Sequence, residues 1–189
     1  MSKPKLLRIQ ERYYSPHHLL WQIARISYSE AEKTPNGRTI NAVKAITFSA
    51  LGIEAFVNAI GFRTNLNWVE FEAKPTFQKI ELLCDHFKLS FSKENKPWTT
   101  INSLLQLRND IVHGKPEHLK IRHELPEAAI EKTRFEIPSS KLEAQLTVGN
   151  AKNALEATEK MYELFRNSVP YEIVIEIFQD SWSGSVSAL

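Results

Sequence analysis

One segment of this chain, residues 39–60, constrains the fold more than any other. Its apolar side chains recur at intervals of three and four residues, at Val43, Ile46, Ala50, Ile53, Val57 and Ile60. That spacing is typical of a helix that packs along a continuous seam. Phe48, Leu51 and Phe56 lie off the seam. The helix is therefore expected at the centre of a bundle, covered by other helices or by a second subunit. We expect Gly61 to end it.

Four further segments have helical patterns. They cover residues 15–33, 75–89, 98–113 and 150–168. In the first of them Ser15 is the expected N-cap, with Pro16 in the first helical position. Its expected apolar stripe consists of Leu19, Leu20, Ile23 and Ile26. Because the prolines fall between these segments or at their starts, the pattern favours a helical protein.

The remaining segments carry weaker signals. Residues 115–147 are long for a plain connection and are treated as an insertion or annex. Within this region, 134–137 and 142–148 alternate like short strands. The β-branched content of residues 171–178 favours a strand over a helical turn. Residues 179–189 are expected to form a flexible tail.

These patterns predict one fold class. It is mainly α, an antiparallel up-and-down bundle of four to five helices with a small irregular or β annex. We expect a single domain over residues 1–189, with its core at 15–168. The composition, 42% hydrophobic and 24% charged, is ordinary for a globular protein and excludes a disordered chain or a disulfide scaffold.

Composition and missing motifs also narrow the function. The net charge of +2 is too small to mark a nucleic-acid protein by charge alone. Cys84, the single cysteine, is expected to be a small buried residue rather than a nucleophile. No dinucleotide, P-loop, zincin or serine-hydrolase motif occurs. His17 and His18 would point about 100° apart on a helix, so they are not placed to share a metal ion. No metal or other cofactor is expected.

The most apolar stretch of the chain is residues 42–60. Lys44 and Glu54 fall inside it, and two charges in so short a segment argue against a membrane span. No apolar run of signal-peptide length follows the first residues. The protein is therefore expected in the cytoplasm, without a membrane partner.

Two charged residues stand out against their apolar surroundings. Arg108 continues the stripe of Ile101 and Leu105 towards Val112, where a leucine would be expected. Glu54 is the only acid between residues 39 and 68. Because a charge that faces the interior is costly unless it is paired, we predict that Glu54 and Arg108 face each other across two packed helices. Asn58 lies one turn further on. The alternative is that both charges lie on solvent-facing edges of their helices.

The end of the same helix adds groups that are able to act on a phosphate. His113 follows Arg108 by five residues, about 140° around a helix, so the two side chains do not stack within one chain. The end of a helix favours a protonated imidazole there. Asn109 lies one turn before His113 and is placed to orient it. The set supplies a cation, an amide and a proton donor, and Asp110 is its one carboxylate.

These residues resemble a known family. The run Arg108–His113 resembles the R-x4-6-H signature of HEPN domains (higher eukaryotes and prokaryotes nucleotide-binding), in its R-N-x-x-x-H form. Residues 53–58, with Glu54 and Asn58, resemble the E-A-x-x-N pattern on the long helix before it. The resemblance covers residues 15–168. It implies an all-α bundle that forms a homodimer, with the two motifs meeting in one cleft at the interface.

The resemblance also implies an activity. Catalytic HEPN members are metal-independent endoribonucleases that leave a 2′,3′-cyclic phosphate and act in toxin–antitoxin pairs, phage defence and RNA processing. Carried over to this chain, His113 would move the proton, Arg108 would hold the scissile phosphate, and Asn109 would position them. Glu54, with Asn58 and Asp110, would support the site. RNA, a second copy and an antitoxin protein are the implied partners.

One position departs from the resemblance, and one alternative function stays open. Some toxin members have a tyrosine two residues after the histidine, where this chain has Lys115. Lys115 is a candidate phosphate contact, or simply a solvated lysine. The alternative to an enzyme is a non-catalytic helical module that binds RNA, a nucleotide or a partner protein. In that case Arg108 and Glu54 form a structural ion pair.

Overall fold

The structure, a computed structural model, describes residues 6–64, 66–122, 124, 126, 137–179 and 182–188. The helices are α1 (His17–Lys33), α2 (Arg38–Arg63), α3 (Trp68–Glu72), α4 (Thr76–His86), α5 (Trp98–His113) and α6 (Val148–Arg166). A short helical turn, Tyr171–Ile173, continues into a π-helix, Val174–Phe178. Two strands, β1 (Leu6–Arg12) and β2 (Trp182–Ala188), pair with each other. The predicted fold class, a mainly α bundle with a small β annex, is confirmed.

Helix α2 is the centre of the bundle, as its apolar pattern predicts. Ile46, Ile53 and Ile60 are fully buried, and α1, α4, α5 and α6 all pack against this helix. Its last turn extends to Arg63, so the expectation that Gly61 ends the helix is wrong. Phe71 of α3 packs directly on Gly61, and a Cβ there would overlap its ring. Gly61 therefore provides space for a close contact rather than a stop.

By length and composition alone, α2 is also apolar enough to cross a membrane. More than half of its most apolar stretch, 56%, is buried inside the molecule. The helix that forms the core of a globular bundle meets the same criterion of length and hydropathy.

Only part of the predicted apolar stripe of α1 faces the bundle, since Leu20 and Ile23 are half-buried. Leu19 and Ile26 are exposed, whereas the buried side chains of the helix include the small residues Ala24, Ser27 and Ala31. Helix α1 packs mainly on α2, and small side chains allow two helices to approach closely. Leu20 still packs beside Gly52 of α2, whereas Leu19 and Ile26 lie on the outer face of α1.

The start of α1 also differs from its prediction. The helix begins at His17, and no side-chain hydrogen bond caps it. Ser15 therefore does not act as an N-cap. It is buried, and its carbonyl oxygen accepts a bond from the backbone N–H of His18 at 3.4 Å.

Two segments expected to be strands are helical. Residues 142–148 contain a 3-10 turn, Glu143–Gln145, and then the start of α6 at Val148. The segment 171–178 is helical because Ile173 and Ile177, four residues apart, are both buried, which outweighs the β propensity of branched residues. Of the other expected strand, 134–137, residues 134–136 lie outside the described residues.

The termini form the β annex, at a place the sequence does not indicate. Strand β2 covers most of the expected flexible tail, 179–189, and pairs antiparallel with β1, with Ile9 opposite Ser185. The described part of this segment is thus a paired strand where the sequence favours a flexible tail. The expected annex at 115–147 contains, in its described parts, a single 3-10 turn and otherwise irregular chain.

Candidate functional site

The predicted pairing of Glu54 with Arg108 is confirmed. Helices α2 and α5 pack together, and Nη2 of Arg108 donates a hydrogen bond to the Oε2 of Glu54. The Arg108 side chain is 21% exposed and the Glu54 side chain is 35% exposed. The pair is therefore shielded on the protein side and open to solvent on the other.

Asn109 completes a three-residue cluster with this pair. Its Oδ1 accepts a hydrogen bond from Nη1 of Arg108 at 2.9 Å. Asn109 thus contacts the arginine, whereas its spacing along the helix predicts a position beside His113. A guanidinium has five N–H donors, and the bonds to Glu54 and Asn109 use two of them. These two bonds hold the guanidinium of Arg108 in place, and its other N–H donors remain accessible to solvent.

The cluster lies in a groove of about 290 Å³ between α4 and α5. The lining residues are Glu54, Pro75, Thr76, Phe77, Asn102, Leu105, Gln106, Arg108 and Asn109. Three of them are amides, and one is an aromatic side chain. The groove therefore combines a fixed cation with neutral hydrogen-bonding groups and an apolar wall.

Asn58 is not part of this cluster. Its Oδ1 accepts a hydrogen bond from Nζ of Lys79 at 2.9 Å. Lys79 is only 4% exposed, and its ammonium lies 5.7 Å from the centre of the Phe71 ring. A buried ammonium needs a hydrogen-bond acceptor or a π face, so Asn58 supports the interior of the bundle.

His113, Asp110 and Lys115 are exposed at the end of α5. His113 is the last residue of the helix, and Lys115 lies in the irregular chain that follows. The structure thus brings Glu54, Arg108 and Asn109 together, and places His113 one turn further along on the outer surface.

Three groove residues were missed from the sequence, namely Phe77, Asn102 and Gln106. Phe77 is half-buried at the start of α4 and lines the groove. Asn102 and Gln106 precede Asn109 by seven and three residues, so helical spacing would have placed them on its side of α5.

Cys84 and His17 are buried in the bundle. Burial raises the pKa of the Cys84 thiol to about 12, as expected for a cysteine that only packs. Burial, with a contribution from the neighbouring His18, lowers the pKa of His17 to about 3. The rings of His17 and His18 lie 4.1 Å apart, closer than their positions on a helix suggested. His18 Nε2 bonds to the carbonyl oxygen of Ile177 at 2.8 Å.

Within the described ranges, no three His, Cys, Asp or Glu side chains are grouped so that they could hold a metal ion. Comparisons of the chain with protein family models, with curated proteins and with solved structures find no match. The site is therefore interpreted from its own geometry and chemistry.

Proposed function

We propose that this protein is a HEPN-like, metal-independent endoribonuclease that acts in the cytoplasm on single-stranded RNA. The observation that carries the proposal is the Glu54–Arg108–Asn109 cluster, held in an open groove one turn before His113. An arginine fixed by a carboxylate and an amide is suited to bind a phosphate, because its unused N–H donors match phosphate oxygens.

The proposed reaction uses the 2′-hydroxyl of the RNA as the nucleophile. This oxygen attacks the adjacent phosphorus, the bond to the 5′ oxygen breaks, and a 2′,3′-cyclic phosphate remains. Arg108 would stabilise the charge that develops on the phosphoryl oxygens. His113 would take the proton of the 2′-hydroxyl or give one to the departing 5′ oxygen, the role of an imidazole in general acid–base catalysis.

The exposed position of His113 favours a site that is shared between two copies of the chain. His113 is exposed at the end of α5, and Val112 beside it is 57% exposed. A homodimer that joins this end of two chains would bring two imidazoles and two arginines to one cleft. A toxin–antitoxin or phage-defence role, with an antitoxin protein as partner, fits such an RNase.

The second candidate function is a non-catalytic helical module that binds RNA, a nucleotide or a partner protein. The ion pair itself favours this alternative, because Glu54 already neutralises the charge of Arg108. Arg108 would then serve mainly to join α2 to α5, and its removal would lower stability rather than activity.

RNA cleavage in excess chelator separates the two candidates. We expect the purified wild-type protein to leave cyclic-phosphate ends on single-stranded RNA, and H113A to lose this activity at least about 100-fold. H86A is the matched control, since His86 is also an exposed histidine in the last turn of a helix. It should cleave like the wild type.

Absence of cleavage by the folded wild-type protein on several RNAs would overturn the enzyme and favour the binding module. Equal cleavage by wild type and H113A would remove His113 from the mechanism.

A further inference from the structure

The exposed side of α5 carries a row of amides that leads to His113. Asn102, Gln106, Asn109 and His113 follow one another at intervals of four, three and four residues. Side chains at this spacing lie on one side of a helix. Asn102 is half-buried, whereas Gln106, Asn109 and His113 are exposed. The row therefore runs along the rim of the groove and ends at the imidazole.

The opposite wall of the groove belongs to the start of α4. Pro75, Thr76 and Phe77 line it. The ring of Phe77 lies 5.7 Å from that of Phe91, centre to centre, and this packing holds it in place. A held aromatic ring facing a row of amides gives the groove one apolar surface and one hydrogen-bonding surface.

We propose that this groove is a nucleobase-binding subsite, in which a base of single-stranded RNA stacks on Phe77 and is recognised by Asn102 and Gln106. The inference rests on the proposed function and adds the determinant of its sequence preference. The nucleotide concerned is a direct neighbour of the phosphate bound by Arg108, because Arg108 lines the same groove.

The side chains of Asn102 and Gln106 are suited to select among bases rather than to raise the affinity for RNA in general. An amide presents a donor and an acceptor together, which is the arrangement that reads the hydrogen-bonding edge of a base. Asn102 and Gln106 carry no charge, so they add little to the attraction of the RNA backbone, which depends on cations. An aromatic ring, by contrast, stacks on any base and adds affinity without selecting among bases.

The test measures binding with cleavage disabled. Four single-stranded RNA oligomers of equal length, each made of a single base type, are titrated into H113A by fluorescence anisotropy. We expect one base to be preferred by at least about tenfold, since a good amide–base pair discriminates by that order. Adding N102A and Q106A should reduce the preference below about threefold. Adding F77L should weaken binding of all four oligomers.

The matched control adds Q22A to H113A, because Gln22 is an exposed amide on α1 outside the groove. It should keep the full base preference. Circular dichroism checks that every variant is folded.

The outcomes separate the two proposals. A preference that survives N102A and Q106A, or RNA binding without any preference in H113A, overturns the subsite and leaves the proposed RNase standing. If H113A does not bind RNA and the wild type does not cleave it, both proposals are overturned.

Discussion

Arg108 and Glu54 are partly buried, and their depth determines how much their ion pair contributes to the free energy of unfolding. Exposed ion pairs contribute about 0–1 kcal/mol, whereas breaking a fully buried pair from one side costs about 3–5 kcal/mol. With side chains 21% and 35% exposed, this pair falls between the two limits. It joins α2 to α5 at the groove, so it affects both stability and the position of the guanidinium.

We expect R108A to lower the free energy of unfolding by about 1–2 kcal/mol, because it leaves the half-buried Glu54 carboxylate without its cation. E54A and the double variant complete a thermodynamic cycle in urea, which should give a coupling energy of about 1 kcal/mol. The control is K152A, which breaks the exposed Lys152–Glu156 pair and should cost less than about 0.5 kcal/mol. A coupling energy near zero would show that the contact does not stabilise the fold.

His17 links the stability of the bundle to pH. Its pKa is about 3 in the folded chain and about 6.5 in an unfolded one, so below pH 6.5 the unfolded chain binds the proton first. Stability is therefore lost as the pH falls from 6.5 towards 3. The neighbouring rings are those of His18, Phe56 and Tyr162, and burial raises the pKa of Tyr162 to about 12, so it stays neutral throughout.

We expect H17F to remove this acid sensitivity. Between pH 7 and pH 5 the wild-type protein should lose about 2 kcal/mol more of its free energy of unfolding than H17F does, because one proton couples to unfolding over about 1.5 pH units. Urea unfolding at the two pH values measures the difference. Parallel pH profiles for the two proteins would show that His17 is not the group responsible.

At the scale of the elements, close contacts decide which residues face the core. Helix α1 buries alanine and serine and exposes Leu19 and Ile26, the reverse of what hydrophobicity alone predicts. The contact between α2 and α3 depends in the same way on Gly61 and Phe71. In both places a close neighbour leaves room only for a small residue: helix α2 beside α1, and the ring of Phe71 beside Gly61.

Gly61 and Gly52, two glycines within α2, should therefore respond differently to alanine. G61A places a Cβ against the buried ring of Phe71, and we expect a loss of about 1–3 kcal/mol from overpacking. Around Gly52 the nearest atoms to a new Cβ lie at 3.8 Å, an ordinary contact. G52A should be neutral, or stabilising by up to about 1 kcal/mol through helix propensity. Urea unfolding of both variants checks the contrast, and equal effects would contradict it.

At the scale of the whole molecule, the helices supply the core and the ribbon of β1 and β2 joins the two ends of the described chain. Among the residues whose burial the structure describes, the apolar core residues belong to helices or to the turns beside them. Two-stranded ribbons are marginally stable on their own in water. The ribbon should therefore depend on the bundle more than the bundle depends on the ribbon.

Removing residues 180–189 tests this dependence. We expect the helical circular dichroism to be unchanged and Tm to fall by less than about 4 °C, because the buried residues of the described core belong to the helical part of the chain. The amides of Leu6–Arg12 should lose their protection from hydrogen exchange, whereas those of α2 and α5 keep theirs. Unfolding of the truncated chain would show that the ribbon is essential to the fold.

Local patterns in the chain determined most of the helices and the ion pair between α2 and α5. Helical spacing locates the core of α2, and α5 runs from Trp98 to His113 as predicted. The pairing of Glu54 with Arg108 follows from the sequence because each charge is unusual in its own helix and has few other acceptable positions. For the groove, the pattern located Arg108 and Asn109 and missed the wall formed by Phe77.

Only the tertiary structure decided the features that depend on two distant segments. The ribbon of β1 and β2, the bond of Asn58 to Lys79 and the small-residue face of α1 each require a partner far away in the chain. The periodicity of apolar residues within one segment does not identify such a partner. Propensity is also too weak to decide a segment such as 171–178, where the burial of Ile173 and Ile177 contributes more free energy than the preference of branched residues for strands.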